Sequence, residues 1–200
     1  MVFRCAWGPV VTDAQEWACL PFGRSDPRAL RLCRLRGRRL AHSMTAELLC
    51  RDLLAELQPE GFPALEEDAS GKPVLPRCAL YVSLSHSGAF AAAAAADTQV
   101  GIDLQKLRTI KEGVLRRCFS PAERDWVSAG DGSERAVRLW TMKEAYGKMT
   151  GTGIFREKLF CAGFDGDCLL TRYDGISFRF PEAPEGYLIT VCLADPIHGA

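Results

Sequence analysis

Residues 80–105 read LYVSLSHSGAFAAAAAADTQVGIDLQ, and the alanine run within them, Ala91 to Ala96, decides the fold. Alanine has the highest intrinsic helix propensity, so the run taken alone favours a helix. Its neighbours favour a strand. Gly88 precedes the run, and Asp97-Thr98 supplies a turn that stops it early. The flanking apolar patterns predict strands over 80–85 and 99–105, which makes 88–96 the second of three consecutive strands. Burial between helices overrides local propensity in such a strand.

Outward from there the pattern is helical on both sides. Toward the N-terminus a helix is predicted from Ala41 to Leu57, with Leu48, Leu49, Leu53, Leu54 and Leu57 on one face and Gln58-Pro59-Glu60-Gly61 ending it. Residues 61–79, rich in Pro and Gly, are expected to be mostly irregular. Asp26-Pro27 places an N-cap before a proline at the first helical position, Thr12-x-x-Gln15 resembles a capping box, and 2–7 reads as a strand. Toward the C-terminus, Thr109-x-x-Glu112 and Ser120-Pro121-Ala122-Glu123 are capping-box signatures. Gly130-Asp131-Gly132 is a turn before a helix over 133–149, which Gly151-Thr152-Gly153 ends. Residues 158–194 read as short strands separated by Asp-Gly turns and prolines. The class is α+β.

Composition narrows the function. Of 200 residues 48% are hydrophobic and 25% charged, ordinary for a globular protein. Basic and acidic residues number 25 each, which argues against a protein that coats nucleic acid. The longest apolar run, Ala89 to Ala96, falls short of the roughly 18 residues a membrane-spanning helix needs. The first eight residues lack a signal-peptide pattern, so a cytoplasmic protein is expected. Nine cysteines with no Cys-x-x-Cys pair fit buried, reduced thiols rather than a disulfide frame or a zinc site.

Three segments carry chemistry. In Trp140-Thr141-Met142-Lys143-Glu144-Ala145-Tyr146-Gly147-Lys148, helical spacing puts Trp140, Glu144 and Lys148 on one face. Alone, Glu144 and Lys148 are an ordinary surface pair worth a few tenths of a kcal/mol. In Gly101-Ile102-Asp103-Leu104-Gln105 an acid ends an apolar strand, where an aspartate commonly just caps a turn. A hard cation such as Mg²⁺ takes carboxylate and phosphate oxygens with water, and Asp103 with Glu144 can supply two of them. Ser83-Leu84-Ser85-His86-Ser87-Gly88 gathers donors at a strand-to-turn junction, a plausible phosphate cradle, although a lone histidine is usually only a satisfied polar residue.

Taken together, these segments resemble the Sfp-type phosphopantetheinyl transferase family, whose signatures are Gly-[Ile/Val]-Asp, Trp-x-x-Lys-Glu-[Ala/Ser]-x-x-Lys and an upstream Ser-His-Ser. Gly71-Lys72-Pro73 and Phe119-Ser120-x-x-Glu123 match two further family motifs, and all five stand in the family's order across 71–153. The resemblance implies Mg²⁺-dependent transfer of 4′-phosphopantetheine from coenzyme A to a serine of an apo acyl or peptidyl carrier protein, releasing adenosine 3′,5′-bisphosphate. It implies two similar lobes forming an intramolecular pseudo-dimer and hence a monomer. Lobe 1–100 would serve the nucleotide side and lobe 101–200 would carry the magnesium and catalytic residues.

Carried over by position, the resemblance makes Asp103 and Glu144 metal ligands, Glu144 also a candidate general base, and Lys148 the residue that neutralises the diphosphate. His86, with Ser85 beside it, would meet coenzyme A phosphate, and Lys72 the nucleotide end. Trp140 and Lys143 would support the site. Gln105 departs from the pattern, since many members carry an acid there; its amide oxygen is a weaker third ligand that brings no charge. Among the arginines of the N-terminal half, Arg28 and Arg31 align best with the family's 3′-phosphate contacts, and the others suit steering of an acidic carrier. His42 also falls in a family-like position. Two other readings share these residues: a Mg²⁺-dependent nuclease or phosphodiesterase, and a non-catalytic relative that only grips carrier proteins.

Overall fold

The alanine run is a strand, and each of its six alanines is fully buried. The computed structural model describes residues 1–12, 27–32, 34–69, 71–153 and 160–195. In the first half the elements are β1 (Phe3–Pro9), α1 (Pro27–Leu32), α2 (Gly37–Leu57), β2 (Glu66–Glu67), β3 (Pro73–Val74), β4 (Tyr81–Ser87) and β5 (Phe90–Ala96). The second half has β6 (Val100–Lys106), α3 (Glu112–Cys118), α4 (Pro121–Ser128), α5 (Gly132–Thr150) and five strands. These are β7 (Phe164–Asp165), β8 (Cys168–Leu169), β9 (Arg172–Tyr173), β10 (Ile176–Arg179) and β11 (Tyr187–Ala194). Contacts divide the chain into two compact units, Met1–Val100 and Gly101–Ala200.

In the first unit β5 is the middle strand of an antiparallel sheet, with Ala93 opposite Ala6 of β1 and Leu84 of β4. Side chains alternate along a strand, so six wholly buried alanines mean that both faces are covered. Ala93 and Ala95 pack with Cys50, Leu53 and Leu54 of α2 and with Leu65, Leu75 and Val82. Ladder hydrogen bonds on both edges and burial on both faces outweigh a helix preference of less than about 1 kcal/mol per residue. Helix α2 begins at Gly37, a turn before the expected Ala41, because its first residues are arginines that add nothing to an apolar stripe. The stretch 61–79 is irregular apart from the two-residue pairing of β2 with β3.

The second unit has the sheet order β6-β11-β10-β9 and a core in which Met142, Ala145 and Met149 of α5 meet Phe178 and Cys192. Asp174-Gly175 joins β9 to β10 with Tyr173 opposite Ile176, and Gly175, at the second turn position, takes a positive φ of 75° that glycine adopts without strain. The Ser120 capping box forms in full: Ser120 Oγ accepts from Glu123 N–H at 3.3 Å and the Glu123 carboxylate from Ser120 N–H at 2.7 Å. Asp131 caps α5, and Gly151 at φ 74° ends it.

Several expectations change. Thr109-x-x-Glu112 makes no capping box, because α3 starts at Glu112 itself, with Lys111 at the N-cap and no side-chain bond there. Thr12-x-x-Gln15 and the Asp26 cap lie outside the described residues, although Pro27 does open α1. The seven described cysteines form no disulfide with one another, but only Cys50, Cys118 and Cys192 are buried, while Cys161 and Cys168 are exposed. Burial pushes the Cys192 thiol up to about 12. Among the described residues no helix is long and apolar enough to cross a membrane.

Candidate active site

A glycine sets the geometry of the second unit's site. A Cβ on Gly101 would stand 1.9 Å from Ala145 O and 2.5 Å from Met149 N, so β6 approaches α5 as closely as only a glycine allows. Asp103, two residues on, shares that face of the strand. It therefore meets the same helix: Lys148 Nζ donates to Asp103 Oδ1 at 2.8 Å and to Ile102 O at 3.0 Å. On α5, Trp140, Glu144 and Lys148 are half-buried along one face, whereas Thr141, Met142, Lys143, Ala145, Gly147 and Met149 are buried.

Glu144 feels its burial and the charge of Asp103. Burial raises the Glu144 carboxyl above its ordinary value, the charge of Asp103 raises it further, and Lys148 pulls the other way. Two carboxylates in a partly desolvated place, with one ammonium between them, leave the site short of positive charge. That donor set suits a hard dication with phosphate ligands. Gln105 is half-buried at the exposed end of β6, on the Asp103 side by strand alternation. Among the described residues there is no cluster of three or more His, Cys, Asp or Glu suited to a metal. Among the described residues, the carboxylates that meet here are those of Asp103 and Glu144.

Lys143 is directed elsewhere. Buried, it donates to Glu123 Oε1 at 2.8 Å and to Phe160 O. The same Glu123 oxygen accepts from Ala162 N–H at 2.7 Å. Glu123 thus caps α4 with one oxygen and ties α5 and the 160–162 segment with the other. The sequence shows the cap; the second duty depends on residues 20 and 39 positions away. Trp140 Nε1–H is buried with no hydrogen-bond partner among the described residues.

The first unit holds the remaining candidates. His86 of β4 is exposed and its ring stacks on that of His42, with centroids 4.7 Å apart and planes at 19°. His42 Nε2–H donates to Gly88 O at 2.8 Å, which fixes the lower ring against the β4–β5 turn. Ser85 is buried. Lys72 follows Gly71 (φ 82°), and burial pushes its ammonium pKa down while Asp68 opposes the shift. Arg28 is only 2% exposed: its Nε and Nη2 each lie 3.0 Å from Glu47 Oε2, and Nη1 lies 3.0 Å from Glu67 Oε1. Arg31 Nε meets the same Glu67 oxygen at 2.8 Å but keeps a side chain 45% exposed. Glu47 and Glu67 went unnoticed in the sequence, since nothing local links an acid inside a helix, or one in a two-residue strand, to an arginine 19 or 39 positions earlier.

The sequence model of the 4′-phosphopantetheinyl transferase superfamily matches residues 99–192, the stretch that holds Asp103, Glu144 and Lys148. Among curated proteins, the 4′-phosphopantetheinyl transferase psf-1 of Bacillus pumilus is 34% identical over 118 residues, covering 56% of this chain and 51% of that protein. The 4′-phosphopantetheinyl transferase Sfp of Bacillus subtilis is 29% identical over 136 residues, covering 63% and 61%. The 4′-phosphopantetheinyl transferase HetI of a Nostoc species is 39% identical over 97 residues, covering 44% and 41%. The chain thus spans about half the length of the curated relatives it matches. The matched residues 99–192 and these relatives make the chain similar to the 4′-phosphopantetheinyl transferase superfamily.

Proposed function

We propose that this protein transfers 4′-phosphopantetheine from coenzyme A to a serine of an apo carrier protein. The observation that supports this is Asp103 of β6 with Lys148 of α5 2.8 Å away, beside a Glu144 carboxyl pushed up by burial and by the charge of Asp103. Asp103 and Glu144 would hold magnesium, with the Gln105 amide oxygen or water beside them; bound there, the ion would neutralise charge on the coenzyme A diphosphate. Lys148 would exchange part of its contact with Asp103 for a diphosphate oxygen.

In the reaction the serine oxygen forms a bond to the β-phosphorus of coenzyme A while the bond from that phosphorus to the bridging oxygen breaks. Adenosine 3′,5′-bisphosphate leaves. The serine proton passes to Glu144, directly or through water, and positioning with charge stabilisation supplies most of the acceleration. Glu144 is suited to accept a proton because its surroundings raise its proton affinity. On the nucleotide side, His86 and Ser85 would meet phosphate and Lys72 the nucleotide end. Of the two aligned arginines, half-exposed Arg31 is the better 3′-phosphate ligand, because Arg28 is enclosed by its carboxylates. The two units would be similar lobes of one monomeric chain, each a β-sheet with one long helix.

Incubation with coenzyme A, Mg²⁺ and an apo acyl carrier protein, followed by weighing the carrier, tests the reaction. A carrier heavier by one phosphopantetheine arm is expected. An unchanged carrier together with cleaved nucleic acid would replace this reading with a phosphodiesterase, and a bound but unmodified carrier with a non-catalytic relative.

A further inference from the structure

The first unit closes one end of its helix-on-sheet packing with two histidines. Val82, Leu84 and His86 fall on one face of β4 by strand alternation. On α2, His42, Leu49 and Leu53 share a face at i, i+7 and i+11. Leu49, Leu53, Val82 and Leu84 pack in one cluster. At the end of these two rows His42 meets His86, with ring centroids 4.7 Å apart and planes at 19°. His42 is only 8% exposed, whereas His86 is exposed.

Packing alone does not ask for this pair. A leucine at position 42 would continue the apolar row without burying a polar ring. The bond from His42 Nε2–H to Gly88 O, 2.8 Å long, satisfies one ring nitrogen and ties α2 to the β4–β5 turn. A side-chain amide can donate such a bond equally well. What the imidazole adds is a flat wall. The outer torsion of a histidine side chain is soft, so an exposed ring at a strand end ordinarily turns through a wide range. Stacked on a ring that is itself held at the Gly88 carbonyl, His86 keeps one plane, and its nitrogens, which lie in that plane, face edgewise from the wall.

We propose that His42 is a positioning residue for phosphate: through the stack it sets the plane of the His86 imidazole, so that a His86 nitrogen meets a coenzyme A phosphate edge-on. This rests on the phosphate role given to His86 above. His42 itself touches no phosphate; it spares the site the cost of immobilising His86 when the ligand arrives.

Two variants separate the ring from the hydrogen bond. His42→Gln keeps an N–H for Gly88 O and removes the wall, and His42→Phe keeps the wall and removes the donor. In the free protein, the NMR signals of the His86 ring protons should move in the glutamine variant and stay near their wild-type positions in the phenylalanine variant, because only an aromatic neighbour exerts a ring current. By calorimetry, coenzyme A should bind about fivefold more weakly to His42→Gln and within about twofold of wild type to His42→Phe. In a His86→Ala background the glutamine substitution should cost nothing further, since its effect passes through His86. Should His42→Gln not fold, His42→Leu takes its place as the variant without a flat ring. Wild-type affinity in the glutamine variant, equal weakening by glutamine and phenylalanine, or a full additional loss in the His86→Ala background would each reduce His42 to a tie between α2 and the turn. A His86→Ala protein that binds coenzyme A like the wild type would overturn the phosphate role of His86 and this positioning with it. A wild type that binds no coenzyme A would overturn the transfer reading as well.

Discussion

At the scale of single residues, the site separates charges that do chemistry from charges that hold the fold. On the proposed reading, Asp103 and Glu144 belong to the first kind. Asp103→Asn keeps the shape but removes the charge that meets Lys148, and transfer should fall by about three orders of magnitude, equivalent to about 4 kcal/mol of barrier. Saturating-magnesium kinetics with folding checked by circular dichroism measures this, and near wild-type turnover would remove Asp103 from the metal site. Arg28 is of the second kind. Its loss leaves fully buried Glu47 with Arg51, 3.4 Å away, as its one counter-charge among the described residues. Arg28→Ala should therefore cost about 3–5 kcal/mol in urea unfolding. Arg31→Ala should cost less than about 1 kcal/mol, because exposed pairs are worth little, yet weaken coenzyme A more than its 3′-dephospho form. Similar stabilities for the two variants would mean that Arg28 is not a structural anchor.

At the scale of elements, the decisive contact is strand against helix. Gly101 is required not by a turn but by the Ala145 carbonyl, which would lie within bonding distance of an added methyl. Backbone cannot rotate aside as a side chain can. Gly101→Ala should push β6 from α5, cost about 3 kcal/mol, and lower transfer further by separating Asp103 from Lys148. Equilibrium unfolding and steady-state kinetics on the one variant check both effects, and a stable, active alanine protein would show that the strand does not press on the helix. The Glu123 hub works by the same logic, since one buried carboxylate caps α4, pairs with Lys143 of α5 and accepts from Ala162 N–H.

For the whole molecule, the raised Glu144 carboxyl couples stability to pH, and the proposed magnesium site would couple it to the metal. The folded Glu144 carboxyl titrates above its ordinary value of 4.5. A group that binds its proton more tightly when folded stabilises the fold at low pH, and that contribution is lost as pH rises from 4.5 through the raised value. Without metal, Glu144→Gln should thus melt at a temperature that gains on the wild type as pH rises from 4.5 toward neutrality. Magnesium at neutral pH should raise the wild-type melting temperature and shift the variant much less. Thermal scans across pH, with and without Mg²⁺, read this directly; equal magnesium shifts in both proteins would place the ion elsewhere.

What the sequence determined by itself was whatever is local or periodic. The Ser120 capping box, the Asp174-Gly175 hairpin turn and the face shared by Trp140, Glu144 and Lys148 depend on residues a few positions apart, so their spacing already encodes them. Tertiary structure decided the rest. The alanine strand is a strand because β1, β4 and α2 bury it against its own propensity. Lys143 faces Glu123 rather than Lys148's side of the helix, and Arg28 is enclosed by Glu47 and Glu67, because those partners come from distant segments that only the folded chain brings into contact. Gly101 shows both sources at once: the sequence marks it beside Asp103, but only the packed helix explains why no side chain fits there.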